Sequence, residues 1–411
     1  MREMKDSGVE WIGEIPEDWE IVPTKRFFRN IKRVVGSDVD NYERLALTMN
    51  GVIKRSKEDS EGLQPEKFEG YQILRKNELV FKLIDLENVK TSRVGLSSYT
   101  GLVSPAYIVL TNELEDNRYY YYWFKFLYYN EVFNHLGGNG VRSALNAKDL
   151  SIIPIVSIPA YMQNCIANYL DEKCTKIEGI IALQQKSIEK LKAYKMSLIN
   201  ETISNTTGTK CHLGYIGSMK NGLNFSSTLE GAKIKFLGVG DFQDNFILDK
   251  LDMFSDIITV DEISEEYMLK DGDIIFVRSN GSKELVGRAV MVKNINYPLT
   301  YSGFCIRFRN TRIDIIDSDY LLYFFRSFDF RKQLEKNSQG SNINNVNQEL
   351  LSQIDFTFPN IELQRKVVCV LDAKCKKIDN IICNKAKLID KLVDYKKSLI
   401  YEVVTGKREV K

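Results

Sequence analysis

The chain carries one long segment twice. QNCIANYLDEKCTKIEGIIALQQKSIEKLKAYKMSLINETIS runs from Gln163 to Ser204, and QRKVVCVLDAKCKKIDNIICNKAKLIDKLVDYKKSLIYEVVT runs from Gln364 to Thr405. The copies sit 201 residues apart without a gap, so Leu170 meets Leu371, Asp171 meets Asp372, Cys174 meets Cys375 and Tyr194 meets Tyr395. Leu170, Ile177, Gln184, Leu191 and Leu198 recur every seven residues in the first copy, and Leu371, Ile378, Lys385, Leu392 and Leu399 in the second. Cys174, Ile181, Ile188 and Lys195, matched by Cys375, Ile382, Ile389 and Lys396, fill the positions between. Apolar residues at this spacing, with charges between them, predict a coiled-coil seam. No proline interrupts either copy, and Pro159 and Pro359 stand just ahead of them, where a helix breaker belongs. Each helix is expected to be roughly 60 Å long at 1.5 Å per residue.

The material between the helices is different. Residues 1–157 and 207–357 contain strand-like runs (ELVFKLI, AYIVL, IKFLGV, DIIFV, RAVMVK) separated by Gly, Asn, Asp and Ser. They too are distant copies. Ile73 to Phe81 resembles Met268 to Phe276, Gly95 falls opposite Gly287, Ser104 opposite Ser302, and YYYYWFK from Tyr119 lies opposite YLLYFFR from Tyr320. Asn146 and Leu150 match Asn347 and Leu351. The expected class is α+β: two mixed, strand-rich globular domains (1–157 and 207–357) separated by two long helices (158–206 and 358–411). The helices are expected to pair as an antiparallel coiled coil, giving an internal repeat with pseudo-two-fold symmetry. Such pairing would bring the polar seam residues Gln184 and Lys385 close together. They then either fix the register, or Lys385 reaches out to solvent.

A chain of 411 residues exceeds one ordinary core. No apolar run reaches the ~18 residues of a membrane span, and the charged opening MREMKDSGVEWIGEIPEDW is no signal peptide. The expectation is a cytoplasmic protein with no membrane association. Five of the seven cysteines lie in the repeated helices and none forms a C-x-x-C pair, which favours reduced, packed thiols. The formal net charge of +2 requires any nucleic-acid surface to be local, or shared with partners.

Catalytic patterns are weak. Gly238-Val-Gly240 lacks a third glycine and a following amphipathic helix, and Thr405-Gly406-Lys407 lacks the upstream glycine of a phosphate loop. No Asn/Asp-Pro-Pro-aromatic stretch of an adenine methyltransferase is present, and the only histidines, His135 and His212, have no evident ligand partners. Neither a catalytic nor a metal site is expected.

Polar loops remain. The first block offers Lys54 and Arg55, then Lys90 and Arg93 between two strand runs; the second offers Arg278, Asn280 and Lys283 in the matching place. Ahead of each helix lies another polar stretch, with Arg142 and Asn146 in one and Asn342, Asn344 and Asn347 in the other. Arg, Lys and Asn can pair base edges, and hydroxyl groups suit phosphates. The same stretches also read as solvated turns rich in Asn and Gly.

Taken together, KDSGVEWIGEIPEDWEIVPTK at the start, the helices after Pro159 and Pro359 with Gln163 and Gln364, their endings KMSLINE and KKSLIYE, and GSNINNVNQELL resemble the DNA-specificity subunit of type I restriction-modification systems along essentially the whole chain. The second block departs from the pattern by opening with CHLGYIGSMKNGLNFSS instead of another WIGEIPEDW. The resemblance implies two target recognition domains, each reading half of a split, asymmetric site in double-stranded DNA. It implies helical spacers that hold two methyltransferase subunits, and restriction/translocase subunits that can join. The subunit would be non-catalytic, with S-adenosylmethionine bound by the methyltransferase partners. A coiled-coil scaffold without DNA contact is the alternative reading.

Overall fold

A computed structural model describes residues 2–49, 51–58, 67–84, 86, 93–136, 144–224, 231–243, 245–259, 262–282, 284–337 and 345–410. The chain forms two compact units, Met1–Gln184 with Ala386–Lys411, and Gln185–Lys385. Each unit therefore holds one globular block, the first half of the long helix that follows it, and the second half of the other long helix.

Those helices are Ala160–Ser204 and Ile361–Val404. The second starts where the Asn360 side chain accepts the amide of Leu363, and it stops ahead of Gly406, which has φ +75°. The heptad positions are the covered ones. Leu170, Ile177, Leu371, Ile378 and Leu399 are buried, while Gln184, Leu191, Leu198, Lys385 and Leu392 are half-buried. In the first unit Leu170, Cys174 and Ile177 share a core with Leu399, Ile400 and Val403. In the second, Leu371 and Cys375 share one with Ile199 and Ile203. Early residues of one helix meet late residues of the other, so within each unit the two run antiparallel. Cross-helix ion pairs keep the same register: Lys396–Glu178 at 3.1 Å in the first unit, Lys195–Asp379 at 2.7 Å in the second. The offset of 201 residues maps one pair onto the other.

The blocks share a frame. In the first, Gly51–Arg55, Arg44–Thr48, Gly101–Val103 and Gln72–Leu74 form one sheet, and Arg29–Asn30, Ile108–Thr111, Leu79–Phe81 and Val94–Leu96 form a second. In the second block the corresponding sheets are Ser255–Thr259, Ala232–Leu237 and Leu299–Tyr301, and Gly217–Asn221, Cys305–Asn310, Ile274–Val277, Ala289–Val292 and Ile247–Leu248. A parallel pairing within one sheet recurs, Leu102 opposite Arg44 in one block and Phe236 opposite Thr300 in the other. The strands Leu79–Phe81 and Ile274–Val277 are apolar throughout because both faces are covered. Leu79 and Phe81 face one core and Val80 another; Ile274 and Phe276 face one core, Ile275 and Val277 another.

The pairing register corrects one detail of the sequence alignment. Gly95 sits opposite Val80, and Val290 sits opposite Ile275. Gly95 is therefore level with Val290, not with Gly287. The sequence alignment matched glycine to glycine, but in Gly287 the residue serves a turn at φ +80°.

The start of the second block has a counterpart in the first. Thr209–His212 pairs antiparallel with Asp355–Phe358, as Glu20–Pro23 pairs with Pro154–Ser157. Gly208 makes this junction possible, since a Cβ there would lie 2.1 Å from the Phe358 carbonyl oxygen. The departure from WIGEIPEDW has a structural counterpart. The hairpin of Met4–Asp6 and Glu14–Pro16 precedes Glu20 in the first unit and closes against the end of the second helix, where Tyr401 Oη and Lys407 Nζ both donate to the Ile12 carbonyl. In the second unit the chain passes directly from Ser204 to Thr209.

Candidate nucleic-acid interface

Both blocks bring the same two segments together. The chain leaving Leu79–Phe81 meets the chain entering the short helix Ala147–Ser151, where Leu145 N donates to Leu83 O at 2.8 Å and Ile84 bridges Ala144. The chain leaving Ile274–Val277 meets the chain entering Gln348–Ser352, where Val346 N donates to Arg278 O at 2.9 Å and Ser279 bridges Asn345. The two polar stretches that the sequence singles out in each block thus spring from one junction on a buried strand. That placement suits function: a rigid base from which two polar stretches start.

The residues named from sequence divide into several groups. Lys90, Arg142, Lys283, Asn342 and Asn344 lie outside the described residues. Asn146 and Asn347 are helix caps. Asn146 accepts from the amides of Lys148 and Asp149 while Asp149 returns the bond to the Asn146 amide. Asn347 accepts from Leu350 N at 2.7 Å. Both set the angle at which the chain leaves the junction.

Arg93 is buried, at 2% exposure, and donates to the Ile84 carbonyl at 2.8 Å. A side chain so covered cannot lie along a duplex in this conformation; it ties the two ends of the 85–92 stretch to each other. The expectation that Arg93 faces DNA did not include this burial, which depends on how the chain folds around it. Lys54 is exposed on the edge strand Gly51–Arg55, ion-paired to Glu43 at 2.6 Å and over the Tyr99 ring at 5.2 Å. Hydrogen bonding to the Glu43 carboxylate raises its pKa. Arg55 is half-buried beside it.

Arg278 is half-buried. Its amide donates to Phe304 O at 2.7 Å and its guanidinium reaches Gly303 O at a long 3.4 Å. The backbone is thereby fixed on both sides while the fork is only loosely held. Asn280 accepts from Ser282 N at 2.8 Å, closing the turn that follows.

Sequence reasoning passed over the groups that seat each block on its helix. Tyr122 Oη donates to Asp171 at 2.7 Å, and Arg118 donates to the other oxygen of the same carboxylate at 2.6 Å. Tyr323 Oη donates to Asp372 at 2.6 Å. Burial, reinforced by the carboxylate, pushes both phenols well above their ordinary pKa, so they stay protonated donors. Gln163 and Gln364 are buried and brace the helix starts, donating to Ile158 O and Pro359 O, each at 2.8 Å. The identity of Asp171 and Asp372 at non-seam positions of the repeat was the available signal. Among the described residues, no group of three or more His, Cys, Asp or Glu side chains could hold a metal ion. No described helix is long and apolar enough to cross a membrane.

Comparison with known proteins agrees with this architecture. Residues 210–390 match the family model of the type I restriction modification DNA specificity domain. The type I restriction enzyme StySPI specificity subunit of Salmonella potsdam is 26% identical over 259 residues, 59% of this chain and 54% of that protein. The EcoKI specificity subunit of Escherichia coli strain K12 is 25% identical over 118 residues, 29% of this chain and 25% of that protein. The chain thus spans about half the length, or less, of these curated relatives. A solved chain from work on complex assembly and conformational transition of the type I R-M system superposes with a TM-score of 0.70 over 95% of this chain and 98% of its own, at 13% identity, which establishes the shared fold. Residues 210–390 thus match a type I restriction modification DNA specificity domain, and the chain as a whole shares the fold of the solved type I R-M chain.

Proposed function

We propose that this chain is the DNA-recognition subunit of a type I restriction-modification assembly, with each block reading one half of a split, asymmetric duplex site. The observation that carries the reading is the repeated junction: one buried frame presents a polar loop and a pre-helix segment at the same place in both blocks, with different residues in each. Arg278 is the strongest base-reading candidate of the second block, because its planar fork matches guanine and is only loosely engaged. Lys54 and Arg55 are candidates in the first, Lys54 suiting phosphate contact.

The same proposal gives the chain a scaffolding role. Two copies of one helix offer equivalent docking surfaces for two methyltransferase subunits. Those subunits would bind S-adenosylmethionine and perform the transfer, with restriction/translocase subunits joining them; the specificity chain itself would be non-catalytic. A net charge of +2 fits an assembly in which partners supply much of the phosphate contact.

Methylome sequencing of cells expressing the chain with its cognate methyltransferase tests the proposal. A single two-part motif with a fixed gap is expected. Unmethylated DNA, or a continuous motif, contradicts it.

A further inference from the structure

The two blocks have diverged in sheet size, loop sequence and aromatic packing, yet each keeps one tyrosine–aspartate bond at one offset. Tyr122 lies on the helix Arg118–Tyr129 and Asp171 on the long helix after it; Tyr323 lies on Ser318–Phe325 and Asp372 on its own long helix. Both pairs are 49 residues apart. Around them the helices changed: Arg118, Tyr120, Tyr121 and Trp123 are replaced by Asp319, Leu321, Leu322 and Phe324 at the matching positions of the other copy. Packing alone does not demand this. A buried phenol can be replaced by Phe at little cost in volume, and hydrocarbon contact sets no precise angle between two helices. A short hydrogen bond to a carboxylate does.

We infer that Tyr122 and Tyr323 are positioning residues that fix the angle of each recognition block on its own spacer helix, and so fix how long a gap between half-sites the subunit accepts. The inference rests on the proposed reading of split sites. Neither residue belongs to the junction that presents the polar loops, so they govern geometry and not base choice.

The two pins are unequal. Asp171 receives Arg118 as well as Tyr122, and Arg118 is also held by Asp116 at 2.6 Å. At the position of Arg118 the second unit has Asp319, which cannot bond Asp372 and pairs instead with Lys293 at 2.6 Å. Loss of the phenol hydroxyl leaves Asp171 with Arg118 as a second partner from the same helix, whereas in block two the remaining polar tie of Ser318–Phe325 is at its start, where Asp317 N donates to Gln364 Oε1 at 2.8 Å, at the end away from Tyr323. Tyr323→Phe is therefore the sensitive variant, Tyr122→Phe the buffered one, and Tyr122→Phe with Arg118→Ala restores sensitivity to block one.

The experiment is the methylome of cells carrying the full chain and its cognate methyltransferase, scored for each half-site and for each gap length. Tyr323→Phe is expected to raise methylation of sites with a gap one base pair off by about tenfold relative to the native gap, the loss of one hydrogen bond to a charged group, with both half-sites unchanged. Tyr122→Phe is expected to raise it by less than about threefold, on the same scale. Asp372→Ala, which removes the acceptor at an exposed helix position, is the second variant should Tyr323→Phe yield no folded protein, and it is expected to behave alike. Gap selectivity within twofold of wild type in a folded variant overturns the inference and leaves the recognition role standing. Altered half-site bases overturn it too, because the tyrosine would then act on reading. A wild-type protein with no two-part motif removes the recognition role, and this inference with it.

Discussion

Glu78 and Asp273 occupy equivalent turns in the two blocks and do the same work with different helpers. Each accepts from a backbone amide three residues earlier, Arg75 N at 2.8 Å and Lys270 N at 2.7 Å. Each is buried and ion-paired to arginine. Glu78 takes Arg33, a residue from the start of its block, which donates to both of its oxygens through a single nitrogen. Asp273 takes Arg309, from the strand beside it, through two nitrogens at 2.7 and 2.6 Å. The turn is inherited and the counter-ion is not. What has been kept between the blocks is the backbone frame and the demand that a buried carboxylate be neutralised; which side chain meets that demand is free to change. The same distinction runs outward to the loops, where the junction is kept and the residues on it differ.

The contrast can be broken at several points. Asp273→Ala is expected to cost about 3 kcal/mol, because it leaves Arg309 facing a covered site without its bidentate partner. Glu78→Ala is expected to cost less, about 2 kcal/mol, the worth of a hydrogen bond to a charged group, since Arg33 is served through one nitrogen and also reaches Thr111 Oγ1. Denaturant unfolding of the two variants orders them; the reverse order would show that geometry at the carboxylate does not set its worth.

Arg278→Ala, on the recognition reading, is expected to relax one base position of one half-site by about 1–3 kcal/mol of discrimination. Methylation across a library of target variants measures it, and an unchanged base preference would return this loop to an ordinary turn. The helix caps give the smallest effect. Asn146→Ala, which dissolves a complete capping box, is expected to lose about 1 kcal/mol, and Asn347→Ala, with its single capping bond, somewhat less. Thermal unfolding compares them, and equal shifts would show that the reciprocal Asp149 bond adds nothing.

The sequence made the long helices legible because a heptad seam is a local, repetitive signal. Leu170 to Leu198 and Leu371 to Leu399 could be placed by spacing alone, and burial follows the spacing. The block frame was legible as far as continuous apolar runs carried it, since a strand covered on both faces, such as Ile274–Val277, has no polar residue to blur it. Side-chain roles at the loops were not. Arg93 reads as an exposed cation until the packing around it is known, and the capping bonds of Asn146 and Asn347 are visible only with the short helices they cap. The pins at Tyr122 and Tyr323 were hidden for a related reason. Each bond joins residues 49 positions apart, and a tyrosine inside YYYYWFK looks like one more core aromatic.

The central claim is that one kept frame serves two independently changeable reading surfaces. Its most direct test replaces residues 207–357 with the corresponding block of a related chain and sequences the methylome with the same methyltransferase. The account predicts that one half of the recognised site changes while the other half stays as it was. A change in both halves, or in neither, from an active complex would contradict it.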